Sequence, residues 1–172
     1  MTGICSNPFV VLAHSRSGSS ILTNNIHTHA RVICHGELFH DERRTLARTS
    51  HFTLAGLAGP DASGARQPVH VHAKLMIIDD VWATVGSCNL HRYSMYGNSE
   101  LNIAFADAVT VRALRCELLA EHLEQDTSAL DGRSALSVFR TVAEQNACRR
   151  DSGDPDWEGI AWAMDPLHWW AG

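Results

Sequence analysis

Two textures of hydrophobic patterning divide the chain. Up to about residue 105, apolar residues come in short runs bounded by polar or Gly/Pro-rich stretches. Beyond it they recur every three to four positions. The short runs predict strands at Phe9–Ala13, Arg31–Cys34, His51–Leu54, Val69–Ile78, Val81–Val85 and Ser99–Phe105. Ile21, Leu22 and Ile26 predict a helix between the first two, and Gly56–Pro68, rich in Gly, Pro, Ala and Asp, reads as a loop. In the second texture, Ala108–Leu123 places Val111, Leu114, Leu118 and Leu119 on one helical stripe, with Arg112, Arg115 and Glu121 off it. Gly132 reads as a break. Ser134–Arg150 is a second amphipathic helix through Leu136, Phe139, Val142 and Ala143, ending on Arg149-Arg150 as a helix C-terminus favours. The expected fold class is α/β: a mixed sheet with flanking helices, plus a small N-terminal strand-loop-helix-strand segment. The charge cluster Asp41-Glu42-Arg43-Arg44 marks a seam, dividing residues 1–48 from 49–172.

Composition narrows the class. A chain of 172 residues with 45% apolar and 19% charged residues has enough material for one modest globular core. The formal charge of −5 argues against a basic surface for nucleic acid, so no nucleic-acid partner is expected, but it leaves room for a local cationic site. Cys5, Cys34, Cys88, Cys116 and Cys148 are widely spaced and form no CxxC. Neither a disulfide framework nor a zinc site is expected, and reduced thiols point to a cytoplasmic protein, at most peripheral to a membrane. No secretory leader and no apolar run of about 20 residues is present, so no transmembrane segment is expected. Trp157, Trp162, Trp169 and Trp170 crowd the C-terminal tail, either packing against the domain or a missing partner half, or lining an apolar lip for a lipid tail.

The candidate chemistry lies in His72-x-Lys74-x4-Asp79-x6-Gly86-Ser87-x-Asn89. On a strand, period two puts His72 and Lys74 on one face, with Val71, Ala73 and Leu75 on the other. An imidazole beside an ammonium suits a phosphate: Lys is a compact cation for its oxygens, and His is a nucleophile or general acid/base near neutral pH. Gly86-Ser87-Cys88-Asn89 closes the next strand with small and polar groups that a ligand can approach. Glu100 embeds a carboxylate in the strand after it. Near the N-terminus, strand, Gly/Ser-rich turn and helix form a second phosphate cradle, with backbone N–H groups aided by Arg16 and the hydroxyls.

The central pattern resembles the HxKx4Dx6GSxN signature of the phospholipase D superfamily, and Tyr93-Ser94-Met95 and Asn98–Asn102 resemble its continuation. The resemblance implies that His72 attacks phosphorus to form a covalent phosphohistidine, while Lys74, Ser87 and Asn89, with Gly86 between strand and loop, hold the non-bridging oxygens. Glu100 would orient the imidazole. Asp79 completes the catalytic signature in a role that supports strand and loop. No metal and no cofactor are implied. The expected activity is phosphodiester hydrolysis or phosphatidyl transfer, similar to that of cardiolipin synthases, on a phospholipid or other phosphodiester. Such sites combine two signatures, and this chain has one; His29-Ala30-Arg31 is the nearest second candidate and lacks the rest. A second half is therefore expected, from a homodimer or from a missing half.

Arg16-Ser17-Gly18-Ser19-Ser20 and Arg31–Phe39 resemble the start of sulfotransferases that use 3′-phosphoadenylyl sulfate. That resemblance implies a phosphate loop over Arg16–Ser20 and sulfuryl transfer as an alternative function, though residues for the nucleotide's 3′-phosphate are not found downstream. A third expectation is a catalytically inactive truncated or fused half domain.

Overall fold

The computed structural model describes residues 9–12, 32–35, 52–89, 94 and 96–165, the first two stretches as backbone strands. Among these residues the order is β1 (Phe9–Leu12), β2 (Val32–His35), β3 (Phe52–Pro60), β4 (Arg66–Val69), β5 (Leu75–Ile78), β6 (Trp82–Gly86), β7 (Asn102–Phe105), α1 (Ala108–Leu123), α2 (Gly132–Ser152) and β8 (Ala161–Ala163). The strands form one sheet in the order β4-β3-β1-β2-β5-β6-β7, with β8 also on β3. β1 runs parallel to both β2 and β3. The other pairings are antiparallel. The mixed sheet with flanking helices is the expected α/β class, and β1 and β2 lie inside that sheet, between β3 and β5. The expected helix through Ile21–Ile26 lies outside the described residues.

β3 differs most from expectation. Strand, not loop, continues through Gly56 to Pro60, and only Asp61–Ala65 turns. All residues from Phe52 to Ala58 are buried. A strand covered on both faces shows no polar alternation, and its small residues are imposed by packing. A Cβ on Gly56 would stand 2.9 Å from the indole nitrogen of Trp162 and 3.1 Å from the sulfur of Met164. Three partners share β3: β1 along Phe52–Ala55, β8 along Ala55–Leu57 and β4 along Leu57–Pro60. The carboxylate of Asp61 closes the β3–β4 turn by accepting from the Ser63 N–H, the Ser63 hydroxyl and the Ala65 N–H.

The helices begin on side-chain caps. Asp107 accepts from the Val109 and Thr110 N–H groups, and Asp131 from that of Ser134. Gly132 is the first residue of α2, where the chain was expected to break. It is buried, and a Cβ there would meet the Asp80 carboxylate at 3.4–3.5 Å. Gly153, left-handed at φ 73°, ends α2 by donating to the Arg149 and Arg150 carbonyls.

The core joins Ala55, Leu57, Leu75, Ile77 and Ala83 of the sheet to Val111, Leu119 and Leu123 of α1 and to Leu136, Phe139 and Val142 of α2. Arg115, expected on the polar side of α1, is fully buried. The fully buried Asn146 of α2 holds the returning chain: its amide donates to the Glu158 and Ala161 carbonyls and its oxygen accepts from the Glu158 N–H. Trp157 and Trp162 also pack there, under the guanidinium groups of Arg66 and Arg150 at 5.3 and 4.0 Å. Trp169 and Trp170 lie outside the described residues. No described helix is long and apolar enough to cross a membrane.

Candidate functional site

Strand direction decides where the chemistry gathers. β1 has β2 on one side and β3 on the other, so the step from β1 to β2 and the step from β2 to β3 run in opposite directions across the sheet. At such a switch point the loops part beyond the carboxyl ends of the strands, and open sheets place ligands there. β5 enters from this same end, because Leu75 pairs with His35, the last residue of β2. β6 leaves by it, with Val85 opposite Leu75, and β7 begins there, with Asn102 opposite Gly86. His72, Lys74, Gly86, Ser87, Asn89 and Glu100 therefore all occur at one end of the sheet.

His72 and Lys74 are not on a regular strand, as expected from the sequence, but on the connection 70–74 between β4 and β5. The reason is topological. β4 belongs to β3 and β5 to β2, so the chain must leave one ladder before joining the other. Outside a ladder the side chains lose strict alternation. The Lys74 ammonium turns back to donate to the His72 carbonyl at 2.7 Å. The His72 imidazole is exposed and stacks with that of His70, ring centres 5.9 Å apart and planes within 21°.

The opposite wall is tightly built. The Gly86 N–H donates to the Lys74 carbonyl at 3.1 Å, tying the wall to the 70–74 connection. Ser87 donates its N–H to the Leu101 carbonyl at 3.0 Å and its hydroxyl to the Glu100 carboxylate at 2.6 Å, and that hydroxyl accepts from the Leu101 N–H at 3.0 Å. Asn102 turns its amide oxygen to the Cys88 N–H at 3.1 Å and its amide nitrogen to the Thr84 hydroxyl at 3.3 Å. Gly86 is required by this packing, since a Cβ would fall 2.2 Å from the Asn102 amide oxygen and 2.3 Å from the Leu101 carbonyl. The Asn89 amide oxygen is buried with no hydrogen-bond partner. Burial, and then the negative charge of Glu100, push the Cys88 thiol above its usual range.

Asp79 is not brought to this wall. It follows β5 at the far end of the sheet, about 16 Å of extended chain from Lys74. With Asp80 it makes the β5–β6 turn, both residues left-handed at φ 54° and 58°, a conformation Asp tolerates. Asp80 then anchors the turn to α1 through the buried Arg115 guanidinium, with contacts of 2.8 to 3.2 Å. Asp80 and His70 escaped the sequence reading, Asn102 entered it only as part of the signature's continuation, and Arg115 only as a residue off the apolar stripe. The Asp79-Asp80 doublet was the available signal for the ion pair. The candidate phosphate loop Arg16, Ser17, Gly18, Ser19 and Ser20 lies outside the described residues.

Residues 29–122 match the family described as the cardiolipin synthase, PLD-like domain, a span that takes in His72 to Asn89 and Glu100. Phospholipase D1 of Schizosaccharomyces pombe is 30% identical over 128 residues, covering 60% of this chain and 9% of that protein. Phospholipase D alpha 4 of Arabidopsis thaliana is 34% identical over 91 residues, covering 45% of this chain and 12% of that protein. The probable cardiolipin synthase YwiE of Bacillus subtilis is 34% identical over 76 residues, covering 44% and 14%. The chain thus spans less than a sixth of the length of these relatives. With the family match covering more than half of its residues, the chain belongs to the PLD-like domain family.

Proposed function

We propose that the chain carries one half of a phospholipase D-like phosphodiesterase or phosphatidyltransferase site, acting on a phospholipid through a covalent phosphohistidine. The observation that supports this reading most is the gathering of His72, Lys74, Ser87, Asn89 and Glu100 at the switch-point end of the sheet, around the Lys74–Gly86 and Ser87–Glu100 links. A neutral His72 imidazole attacks phosphorus, a P–N bond forms and the P–O bond to the leaving alcohol breaks. Water or a second alcohol then attacks phosphorus, the P–N bond breaks to free the imidazole, and the attacking group's proton returns to the acid that protonated the first leaving group. Lys74, the Asn89 amide and the Ser87 hydroxyl stabilise the charge on the non-bridging oxygens, which calls for the Ser87 hydroxyl to turn its hydrogen bond from Glu100 to the phosphate. Glu100 is then available to orient the imidazole.

The departing alkoxide needs a proton, and the chain has one signature. A second half, either another copy or a half outside this sequence, supplies the general acid. The test is turnover of a chromogenic phosphodiester and of a phosphatidyl lipid by the intact chain and by His72→Ala, with molar mass measured on the same samples. Turnover by a dimer that vanishes in the variant supports the reading. Equal turnover by both proteins refutes it.

A further inference from the structure

The proposed reaction uses His72 and gives its neighbour His70 no task. The two imidazoles nevertheless form a defined pair. Val71 between them packs against the core, so the connection turns both of its neighbours outward, and both side chains are exposed. The backbone under them is held at each end. Val69 pairs with Leu57 of β3, and the Lys74 carbonyl accepts from the Gly86 N–H. A pair carried on backbone fixed at both ends is largely preorganised, and little freedom is lost when a ligand joins its members.

The separation of the rings fits one ion. Their centres are 5.9 Å apart and their planes differ by 21°. A transition-metal ion bound by an imidazole nitrogen at about 2.0–2.1 Å lies about 3.2 Å from that ring's centre, so two rings on one ion have centres about 5.2 Å apart at a tetrahedral angle and at most about 6.4 Å apart. The observed spacing falls between these values, and the exposed rings meet the ion by turning about their side-chain bonds. Each ring has to offer only one of its two nitrogens. Neutral imidazole suits Zn²⁺, Cu²⁺ and Ni²⁺, whereas Mg²⁺ prefers oxygen. Among the described residues no group of three or more His, Cys, Asp or Glu is placed to hold an ion. An ion on this pair therefore keeps water at its other positions. With only two protein nitrogens, and the Lys74 ammonium two residues from His72, the site is weak and exchangeable and has no structural role.

We propose that His70 and His72 form a two-imidazole site for a divalent transition-metal ion of the Ni²⁺, Cu²⁺ or Zn²⁺ class, and that its occupation switches the phosphodiester site off. A neutral imidazole has one ring-nitrogen lone pair. The ion exchanges a bound water for that lone pair on each ring, and on His72 it is the same pair that forms the P–N bond. A metal-bound His72 therefore does not attack phosphorus. Loss of the ion returns the imidazole unchanged. The metal site stands on the geometry of the pair alone, whereas the inhibition rests on the phosphodiester reading above.

The test is calorimetric titration of the intact chain with Ni²⁺, wild type beside His70→Phe and His72→Ala. Turnover of a soluble chromogenic phosphodiester is followed at each Ni²⁺ concentration, against each protein's own metal-free rate. Both positions are exposed, and Phe keeps a ring at residue 70 while removing both nitrogens. Changing a residue that only supports a metal ligand weakens binding about 10–100-fold, so loss of a ligand should weaken Ni²⁺ binding at least about tenfold in each variant. In wild type, Ni²⁺ should inhibit over the range in which it binds, a chelator should restore the rate, and Mg²⁺ should have no effect. His70→Phe should need at least about tenfold more Ni²⁺ for the same inhibition. Equal Ni²⁺ binding by wild type and His70→Phe overturns the proposal, because other histidines of the chain then account for it. So does Ni²⁺ binding that leaves a His72-dependent turnover unchanged, or equal inhibition by Mg²⁺. If turnover does not depend on His72 while both variants lose Ni²⁺ binding, the phosphodiester reading falls and the metal site stands.

Discussion

Removing the Asp80 carboxylate should cost more stability than any other single polar deletion at the sheet–helix junction. Arg115 is 0% exposed and Asp80 17%. The guanidinium Nε lies 3.1 and 3.2 Å from the two carboxylate oxygens, and Nη2 lies 2.8 Å from one of them. Its other donors go to the Leu130 carbonyl at 3.1 Å and to Thr127 at 3.4 and 3.5 Å. Burial disfavours the charged guanidinium, yet the hydrogen bonds and charge of Asp80 more than restore it, and its pKa lies above the usual value. Asp80→Ala leaves that cation buried and opposed only by neutral carbonyls and a hydroxyl, at a cost of about 3–5 kcal/mol. With a urea slope of roughly 2 kcal/mol/M, the unfolding midpoint should fall by about 2 M. Asp80→Asn keeps the shape and one acceptor, and should lose about 2 kcal/mol. The double variant Asp80→Leu/Arg115→Met removes both charges and should recover most of the loss. Tryptophan fluorescence in urea reads all three. A midpoint shift below about 0.5 M for Asp80→Ala, or a double variant less stable than that single one, would refute the account.

Three other predictions follow from single residues. His122 is 3% exposed, and burial pulls its pKa from 6.5 down to about 4. Between those values the unfolded chain binds a proton that the folded chain refuses, so stability should fall by about 3 kcal/mol as pH drops from about 7 to 4, and His122→Gln should flatten that part of the profile in urea titrations. Gly86→Ala forces apart the Gly86–Asn102 contact, where a Cβ has 2.2 Å of room, and should lower phosphodiester turnover at least tenfold; wild-type turnover would remove the tight wall from the site. The Cys88 thiol is held up by burial and then by Glu100, so Glu100→Gln should speed its alkylation by iodoacetamide at pH 8. An unchanged rate would mean that the carboxylate charge does not reach the thiol.

The signature was legible because it consists of fixed residue types at fixed offsets, which a one-dimensional reading records. The helices were legible from their spacing, and α1 matches its expected bounds, Ala108–Leu123. Three things were not. β3 is buried on both faces, so Gly56–Pro60 carried loop composition without being a loop. The connection 70–74 has strand composition but stands between two ladders, and only the strand order reveals that. Arg115 has the character of a surface residue until Asp80, 35 positions earlier, is placed beside it. In each case the missing information is a partner distant in sequence, which local periodicity does not record.

The interleaving of β1 and β2 between β3 and β5 also bears on how this chain comes into being. A sheet whose inner strands are made first and whose outer strands follow cannot close from either end alone. During synthesis the earliest strands wait until Leu75–Ile78 has left the ribosome before both edges of the β1–β2 pair are covered. The expected seam near residue 48 is thus no line along which the sheet comes apart. A fragment starting there would keep β3 and β5 but lack the two strands that hold them in one sheet, and with them the switch point at which the signature lies.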